Sequence, residues 1–269
     1  MIYPITGSSI CHLSLGLCLG HMVLVKRQAK VRLFVSEALR EGQSVALTRE
    51  QAHYLFGVMR LGEGDLVALF NGSDGEWQAE VAEAGKRGGT LICREQSALE
   101  RNPPDLWLMF APIKKARTDF IVEKAAEMGA ARICPVNTDF TNAERIRRDR
   151  LQAHAVEAAE QCGGTFVPPV DDLTPLAKVL DCWPTGRFLL FCDEALVGRA
   201  TALTILSETK DHPWAILIGP EGGFSEAERA RLAAMENAVP VSLGPRILRA
   251  DTAAVAAMTL WQSHLGDWR

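Results

Sequence analysis

The first third of the chain alternates short apolar runs with turn-forming residues. Glycine-rich turns at residues 71–76 and 85–89 separate stretches in which apolar and polar positions alternate. This pattern predicts the following elements: strands over 31–35, 66–70, 77–81 and 90–93, and a helix over 48–59. Ala52, Leu55, Phe56 and Met59 share one face of that helix. Short strands at this spacing are typical of a small barrel.

The remainder of the chain alternates buried-strand patterns with helical ones. We predict strands over 106–111, 132–136, 187–193, 215–218 and around 241, and helices over 118–128, 145–161, 203–209 and 252–264. Gly129 and Gly163 are good stop signals for two of these helices. Regular alternation of strand and helix predicts an open parallel α/β sheet with helices on both faces.

A proline-rich stretch divides the two patterns. In Arg101-Asn102-Pro103-Pro104 each proline restricts its own backbone and that of its predecessor, as expected of a linker. We therefore predict two domains, residues 29–100 and residues 105–269.

Residues 1–28 precede both domains and contain an apolar run at 10–19. No basic residue comes before this run and Lys26-Arg27 follow it, which reverses the order found in a signal peptide. We expect a disordered N-terminal extension, with Met22 as an alternative start. A segment docked on the folded domains is the other interpretation.

Composition narrows the class of protein. The 269 residues are 48% hydrophobic, and no apolar run reaches the roughly 18 residues that a membrane-spanning helix needs. The net charge of −4 is only weak evidence against RNA binding, because a whole-chain value hides local basic patches. Seven scattered cysteines without CxxC spacing indicate reduced thiols in a cytoplasmic protein, with no disulfide framework and no metal site.

Two segments near the C-terminus, 216–226 and 241–254, carry the most specific pattern. Each consists of an apolar strand, a Gly-Pro loop and a helix start, and Ser225 and Glu228 have capping-box spacing. Either loop alone is more often a structural turn. We predict that the two strands are neighbours and that their loops form a pocket at the carboxyl edge of the sheet. The loops lack GxGxxG and GxxxxGK[ST] spacing, so the dinucleotide and P-loop interpretations are weak.

Taken together, the sequences at 218–225 (Ile-Gly-Pro-Glu-Gly-Gly-Phe-Ser) and 243–253 (Leu-Gly-Pro-Arg-Ile-Leu-Arg-Ala-Asp-Thr-Ala) resemble the signature of the SPOUT RNA methyltransferases, and most closely that of the RsmE family. The resemblance covers roughly residues 29–269. It implies a C-terminal SPOUT α/β domain with a trefoil knot, preceded by a PUA-like RNA-binding β-barrel. It also implies methylation of the N3 ring nitrogen of a uridine in 16S ribosomal RNA, within the small subunit, by a cytoplasmic homodimer that uses S-adenosylmethionine (SAM).

The resemblance also indicates which residues hold SAM. A neutral pocket lined by main-chain groups suits adenine and ribose, and a Cβ at Gly219, Gly222 or Gly244 would intrude on the cofactor. Glu221 is either a partner of the ribose or methionine part, or a charge favoured at a helix N-terminus. The expected cofactor-binding residues are Leu217, Ile218, Gly219, Pro220, Glu221, Gly222, Leu243, Gly244, Ile247, Leu248, Thr252 and Ala253.

The reaction asks the protein mainly for alignment and for charge stabilisation. The sulfonium already activates the methyl group, so the enzyme must align donor and acceptor. Charge builds on the uracil carbonyl oxygens as N3 loses its proton, and a fixed cation stabilises that charge. Arg249 is the first candidate for this role, and Arg246 is the second, as a catalytic, pocket-forming or RNA-contacting residue. The alternative for either arginine is an ion pair with a carboxylate such as Asp251. No general base is assigned.

Local basic clusters stand out from the acidic background. The expected RNA-binding residues are Arg60 in the barrel, Lys114, Lys115 and Arg117 after the first α/β strand, and Arg145, Arg147 and Arg148 at the start of the next helix. The alternative for the arginine run is a solvated helix face paired with Glu144 and Asp149. Gly164 and residues 137–142 depart from the family pattern, which usually has an arginine and a Ser-Glu-Arg stretch there, so no RNA contact is assigned to either.

Three other functions stay open at this stage. The first is a non-catalytic RNA-binding protein, and the second is an α/β transferase acting on a small nucleotide. The third is a family member with another target nucleoside, because pocket shape decides which base is accepted.

Overall fold

The structure is a computed structural model that describes residues 29–143, 145–193, 195 and 212–269. The N-terminal extension expected at 1–28 and the helix predicted over 203–209 lie outside these residues. No helix in the described ranges is both long enough and apolar enough to span a membrane. The same ranges hold no cluster of three or more His, Cys, Asp or Glu side chains that could bind a metal ion.

The N-terminal part forms a five-stranded sheet in the order β1-β3-β4-β5-β2. Its strands are β1 (Arg32–Phe34), β2 (Ser44–Ala46), β3 (Leu66–Phe70), β4 (Glu76–Gly85) and β5 (Gly88–Ala98). The pair β1–β3 is parallel and the other pairs are antiparallel. Buried side chains from all five strands meet in one core. Sequence analysis missed β2, because three residues with a single buried position, Val45, show no periodicity.

A short helix closes this core. Thr48 is the N-cap residue of α1 (Arg49–Ala52), and Gln51 completes its capping box. A π-helix (His53–Val58) follows α1 directly. The helix predicted over 48–59 is therefore present, and its second half has π-helical rather than α-helical hydrogen bonding. Gln51 Nε2 also donates to Phe34 O at 3.1 Å, which joins the helix to β1.

The C-terminal part is a six-stranded sheet in the order β11-β9-β10-β6-β7-β8, and every pair in it is parallel. Its strands are β6 (Leu106–Phe110), β7 (Arg132–Asn137), β8 (Thr174–Pro175), β9 (Phe188–Cys192), β10 (Trp214–Ile218) and β11 (Ala238–Val241). All five residues of β10 are buried, as expected of a strand covered on both faces. The parallel α/β sheet predicted from the alternation is confirmed.

In the part of the chain that the structure describes, five helices cover the two faces of this sheet: α2 (Lys115–Glu127), α3 (Arg148–Cys162), α4 (Leu176–Asp181), α5 (Glu226–Ala233) and α6 (Ala250–His264). Ile216 packs with α2, α3 and α6, whereas the next residue, Leu217, packs with α4 and α5. The capping box predicted at Ser225 starts α5, and Gly163, at φ +81°, ends α3.

The start of α3 differs from the prediction. Arg147 is its N-cap residue, with extended φ −102° and ψ 92°, so the helix begins at Arg148. Arg145 and Arg147 therefore precede the helix rather than form its first turn. Helix periodicity gave no sharp boundary here, because charged residues surround the true start.

The two sheets are joined through β1 and the end of α3. Arg32 donates hydrogen bonds to the carbonyls of Ala159, Glu160 and Gly164 at 2.6, 3.0 and 2.7 Å. Phe34 N donates to the Glu160 carboxylate at 2.9 Å. Charged and main-chain hydrogen bonds thus place the N-terminal sheet against the C-terminal end of α3.

Candidate cofactor and RNA site

A cavity of about 190 Å³ lies at the carboxyl ends of β9, β10 and β11. The prediction that the two Gly-Pro strands are neighbours is wrong, because β9 pairs in parallel with both β10 and β11 and separates them. Parallel strands are joined by long crossovers, so order along the chain does not set order in the sheet. Three loops therefore meet at the cavity, with β9 supplying the third.

Most of the expected cofactor residues line this cavity. They are Ile218, Gly219, Pro220, Glu221, Leu243, Gly244, Ile247, Leu248 and Ala253. Leu217, Gly222 and Thr252 do not. The side chain of Leu217 packs in the core beneath α4 and α5, Gly222 faces Phe140, and Thr252 is on the exposed side of α6.

Five further residues line the cavity and were missed in the sequence: Cys192, Asp193, Val241, Ser242 and Ala250. Asp193 is the most informative of them, because its side chain is only 6% exposed. Its two carboxylate oxygens accept hydrogen bonds from Arg229 Nε at 3.2 and 3.1 Å. The signal for it in the sequence is a charged residue directly after the apolar run 188–192.

Cys192 reaches the cavity but is a poor base or nucleophile. Burial raises the pKa of its thiol to about 12, so the sulfur keeps its proton at neutral pH. The cavity therefore contains a neutral thiol beside the buried carboxylate of Asp193.

The glycines of the first loop are needed for a reason other than the expected one. A Cβ on Gly219 would lie 3.1 Å from the ring of Phe224, and one on Gly222 would lie 3.2 Å from Phe140 Cβ. Both directions lead into neighbouring side chains rather than into the cavity. Gly244 has φ +124° with nothing within 4 Å of a Cβ, so its backbone, and not its surroundings, requires glycine.

Glu221 lines the cavity and is exposed. The acidic residues in the first turn of α5 are Glu226 and Glu228, whereas Glu221 lies before the N-cap, Ser225. The helix-dipole interpretation of Glu221 therefore loses support, which favours a contact with a ligand.

The second loop offers main-chain groups to the cavity. Within the described ranges, the backbone amides of Arg246, Ile247 and Leu248 have no hydrogen-bond partner. Exposed peptide groups of this kind need a partner from water or a ligand. Beside them, Val241, Leu243 and Leu248 provide apolar surface, so the wall suits a flat heterocycle with polar edges.

Arg246 and Arg249 lie at the mouth of the cavity and both are exposed. Among the described residues, neither side chain makes an ion pair or a hydrogen bond. Asp251, the expected competitor for Arg249, pairs instead with Arg117 Nη1 at 3.1 Å. Arg249 is also the N-cap residue of α6, which holds its backbone at the cavity wall.

A second cavity, of about 400 Å³, lies beside the loops that follow β6 and β7. Three of the expected RNA-binding residues line it: Lys115, Arg145 and Arg147. Arg150, which belongs to the same basic run in the sequence, also lines it. Arg150 forms an ion pair with Asp119, which is 8% exposed, so a buried carboxylate holds the Arg150 guanidinium at this cavity.

The other expected RNA-binding residues are placed differently. Lys114 is the exposed N-cap of α2, and Arg117 is held by its ion pair with Asp251. Arg148 Nε donates to Val170 O at 2.7 Å and so points back to the sheet edge. Arg60 is exposed, with φ +56°, an unusual conformation for a residue with a side chain.

Comparison with known proteins finds matches to both parts of the chain. The sequence profile of the RNA methyltransferase domain matches residues 100–262, and that of the RNA methyltransferase PUA domain matches residues 47–92. Ribosomal RNA small subunit methyltransferase E of Rickettsia conorii is 29% identical over 228 residues, which cover 84% of this chain and 93% of that protein.

Two solved structures share the fold over nearly their whole length. Ribosomal RNA small subunit methyltransferase E from Neisseria gonorrhoeae, bound to SAM, superposes with a TM-score of 0.79 at 26% identity, covering 89% of this chain and 99% of that one. A putative methyltransferase from Legionella pneumophila in complex with SAM also gives 0.79 at 26% identity, covering 90% and 100%.

Proposed function

Since this chain belongs to the RNA methyltransferase family, we propose that it transfers a methyl group from SAM to N3 of a uridine in small-subunit ribosomal RNA. The observation that carries the proposal is the cavity at the ends of β9, β10 and β11. It brings together main-chain amides and two arginine side chains that have no partner among the described residues. The similarity to ribosomal RNA methyltransferases supports the RNA substrate.

The cavity residues fit SAM. SAM supplies a methyl group already activated by its sulfonium. The amides of residues 246–248, which have no partner within the described ranges, suit the acceptor atoms of adenine, and Leu243 and Leu248 suit its faces. The carboxylates of Asp193 and Glu221 are the acceptors available for ribose hydroxyls or for the amino group of the methionine part.

The cations at the mouth suit the transition state. A bond forms between N3 and the methyl carbon while the carbon–sulfur bond breaks, with its electron pair going to sulfur and the N3 proton passing to solvent water. Negative charge that develops on the uracil oxygens is stabilised by Arg249, whose guanidinium has no competing carboxylate in the described structure. Arg246 is the second cation at this mouth.

The basic residues around the second cavity are proposed to bind RNA phosphates. Lys114, Lys115, Arg145 and Arg147 are exposed in the segments that follow β6 and β7. The domain at residues 29–100, with Arg60, is proposed to add a further RNA contact. Binding should weaken as salt rises, because each neutralised phosphate releases counterions.

The proposal also covers the oligomeric state, the cellular compartment, the form of the RNA substrate and the chain topology. We propose a cytoplasmic homodimer that acts on the assembled small subunit, with a trefoil knot in residues 105–269. Partly exposed Val255 and Leu260 on α6 support a partner surface there. Sedimentation equilibrium tests the dimer, since a single species near the chain mass of 29.4 kDa would contradict it.

The central test is Arg249→Ala, assayed by methyl transfer from labelled SAM to small subunits that lack the modification. Loss of one charge-stabilising group should lower kcat roughly 100-fold while the Kd for SAM, measured by titration calorimetry, changes little. Arg231→Ala is the matched control, because Arg231 is partly exposed and pairs with Asp181 outside both cavities. Mass mapping of the product identifies the methylated atom.

The rival functions give different results. A non-catalytic RNA-binding protein would bind small subunits without transferring a methyl group, and Arg249→Ala would leave that binding intact. A transferase acting on small nucleotides would show no preference for RNA and would keep its activity after removal of residues 29–98. Failure of the wild-type protein to bind SAM, with its fold intact, would end the proposed function.

A further inference from the structure

Phe140 is a large apolar side chain that the fold leaves in solvent. It follows β7, and 48% of the residue is exposed. Within the described ranges its ring has no aromatic or cationic partner. Single exposed apolar side chains are common on protein surfaces, so the position of Phe140, and not its exposure alone, carries the argument.

The loop that carries Phe140 is held firmly. The Thr138 and Thr141 hydroxyls lie 2.8 Å apart, and Thr138 N donates to Thr141 Oγ1 at 2.8 Å. Asp139 binds α5 twice, because its N–H donates to Glu228 Oε1 at 2.9 Å and its carboxylate accepts from Ser225 Oγ at 2.5 Å. The backbone at Phe140 is therefore fixed before any ligand arrives, which reduces the entropy lost on binding.

Phe140 lies between the two cavities described above. A Cβ built on Gly222 would be 3.2 Å from Phe140 Cβ and 3.6 Å from its Cγ, and the preceding residues Pro220 and Glu221 line the cofactor cavity. On the other side, Ala143 and Arg145 of the same chain segment line the basic cavity. The segment that carries Phe140 thus contacts the loop of the cofactor cavity on one side and continues into the lining of the basic cavity on the other.

We propose that Phe140 is a stacking platform for a base of the bound RNA at the mouth of the cofactor cavity. The proposal rests on the proposed function and adds a nucleobase subsite to it. A uridine whose N3 edge is to be methylated must leave its base pair, and it then loses stacking with its neighbours. A fixed phenyl face replaces part of that stacking without selecting a particular base.

The test compares Phe140→Ala, Phe140→Leu and Phe140→Trp in methyl transfer to unmodified small subunits, with the Kd for SAM measured separately. In the alanine and leucine variants kcat/KM for the subunits should fall about 5- to 150-fold. The tryptophan variant should keep most of the wild-type kcat/KM, because only an aromatic face stacks. The Kd for SAM should stay at the wild-type value. Phe120→Ala is the matched control, because Phe120 is 39% exposed on α2 and lines neither cavity.

Three outcomes would overturn the proposal while leaving the proposed function intact. Wild-type kcat/KM in Phe140→Leu would show that apolar contact suffices. A weaker Kd for SAM that accounts for the loss would show that Phe140 only supports the Gly222 loop. Conversion of a dimer to monomer in Phe140→Ala would show that a second copy covers the ring. Absence of methyl transfer by the wild-type protein, in contrast, defeats the proposed function itself.

Discussion

Replacing Arg32 by alanine should destabilise the junction between the two sheets by about 2.5–4.5 kcal/mol. The Arg32 guanidinium donates to three carbonyls of the other domain and pairs with Glu76 Oε2 at 2.7 Å, while its side chain is only 17% exposed. Two of those carbonyls, on Ala159 and Glu160, belong to the last turn of α3, where main-chain acceptors lack partners within the helix.

The magnitude follows from these contacts. A hydrogen bond from a charged donor contributes about 1.5–3 kcal/mol, so three of them sum to roughly 5–9 kcal/mol. Water that enters the space left by the side chain can donate hydrogen bonds to some of the exposed carbonyls. The expected net loss of stability is therefore about half of that sum. The positive charge of Arg32 at the C-terminus of α3 adds a favourable interaction with the helix dipole.

Urea unfolding, followed by fluorescence and by circular dichroism, measures the loss. Arg32→Lys keeps the charge but not the planar fork of donors, and it should fall between wild type and alanine. The matched control is Arg94→Ala, which removes a 3.0 Å ion pair to Glu80 between side chains that are 51% and 39% exposed, and should cost less than about 1 kcal/mol. Equal losses for Arg32→Ala and Arg94→Ala would refute the reasoning.

Two more predictions concern a carboxyl group and a glycine. Burial raises the pKa of Glu160 above its ordinary value of 4.5, and the hydrogen bond from Phe34 N opposes this less strongly. The folded state thus holds the proton to higher pH than the unfolded state, so ionisation costs stability as pH rises. Glu160→Gln, which keeps an acceptor for Phe34, should raise Tm near pH 7 and change it little near pH 4; an equal change at both would contradict this. Gly244→Ala should cost about 1–3 kcal/mol in chemical denaturation and weaken SAM binding, because φ +124° strains alanine and relaxing it moves the cavity loop. Gly186→Ala, at φ +81° and far from the cavity, controls for backbone strain and should leave the Kd for SAM unchanged.

Several features could be predicted from the sequence alone because they depend on short stretches of residues. The strand over 66–70 was predicted with its observed bounds, and the capping box at Ser225 and the stops at Gly129 and Gly163 are in place. Such features depend on a few adjacent residues, whose side-chain period, hydroxyls or missing Cβ act within one or two turns of chain. The paired Gly-Pro segments likewise indicated the family, because their spacing is a local property.

Tertiary structure alone decided how these parts meet. The insertion of β9 between β10 and β11 brought Asp193 into the cavity, and the partner of Asp251 proved to be Arg117 rather than Arg249. The packing of Gly222 against Phe140 joins loops that are far apart in the chain. Strand order, ion-pair partners and side-chain contacts of this kind depend on which surfaces are buried together, and residue spacing does not encode that directly.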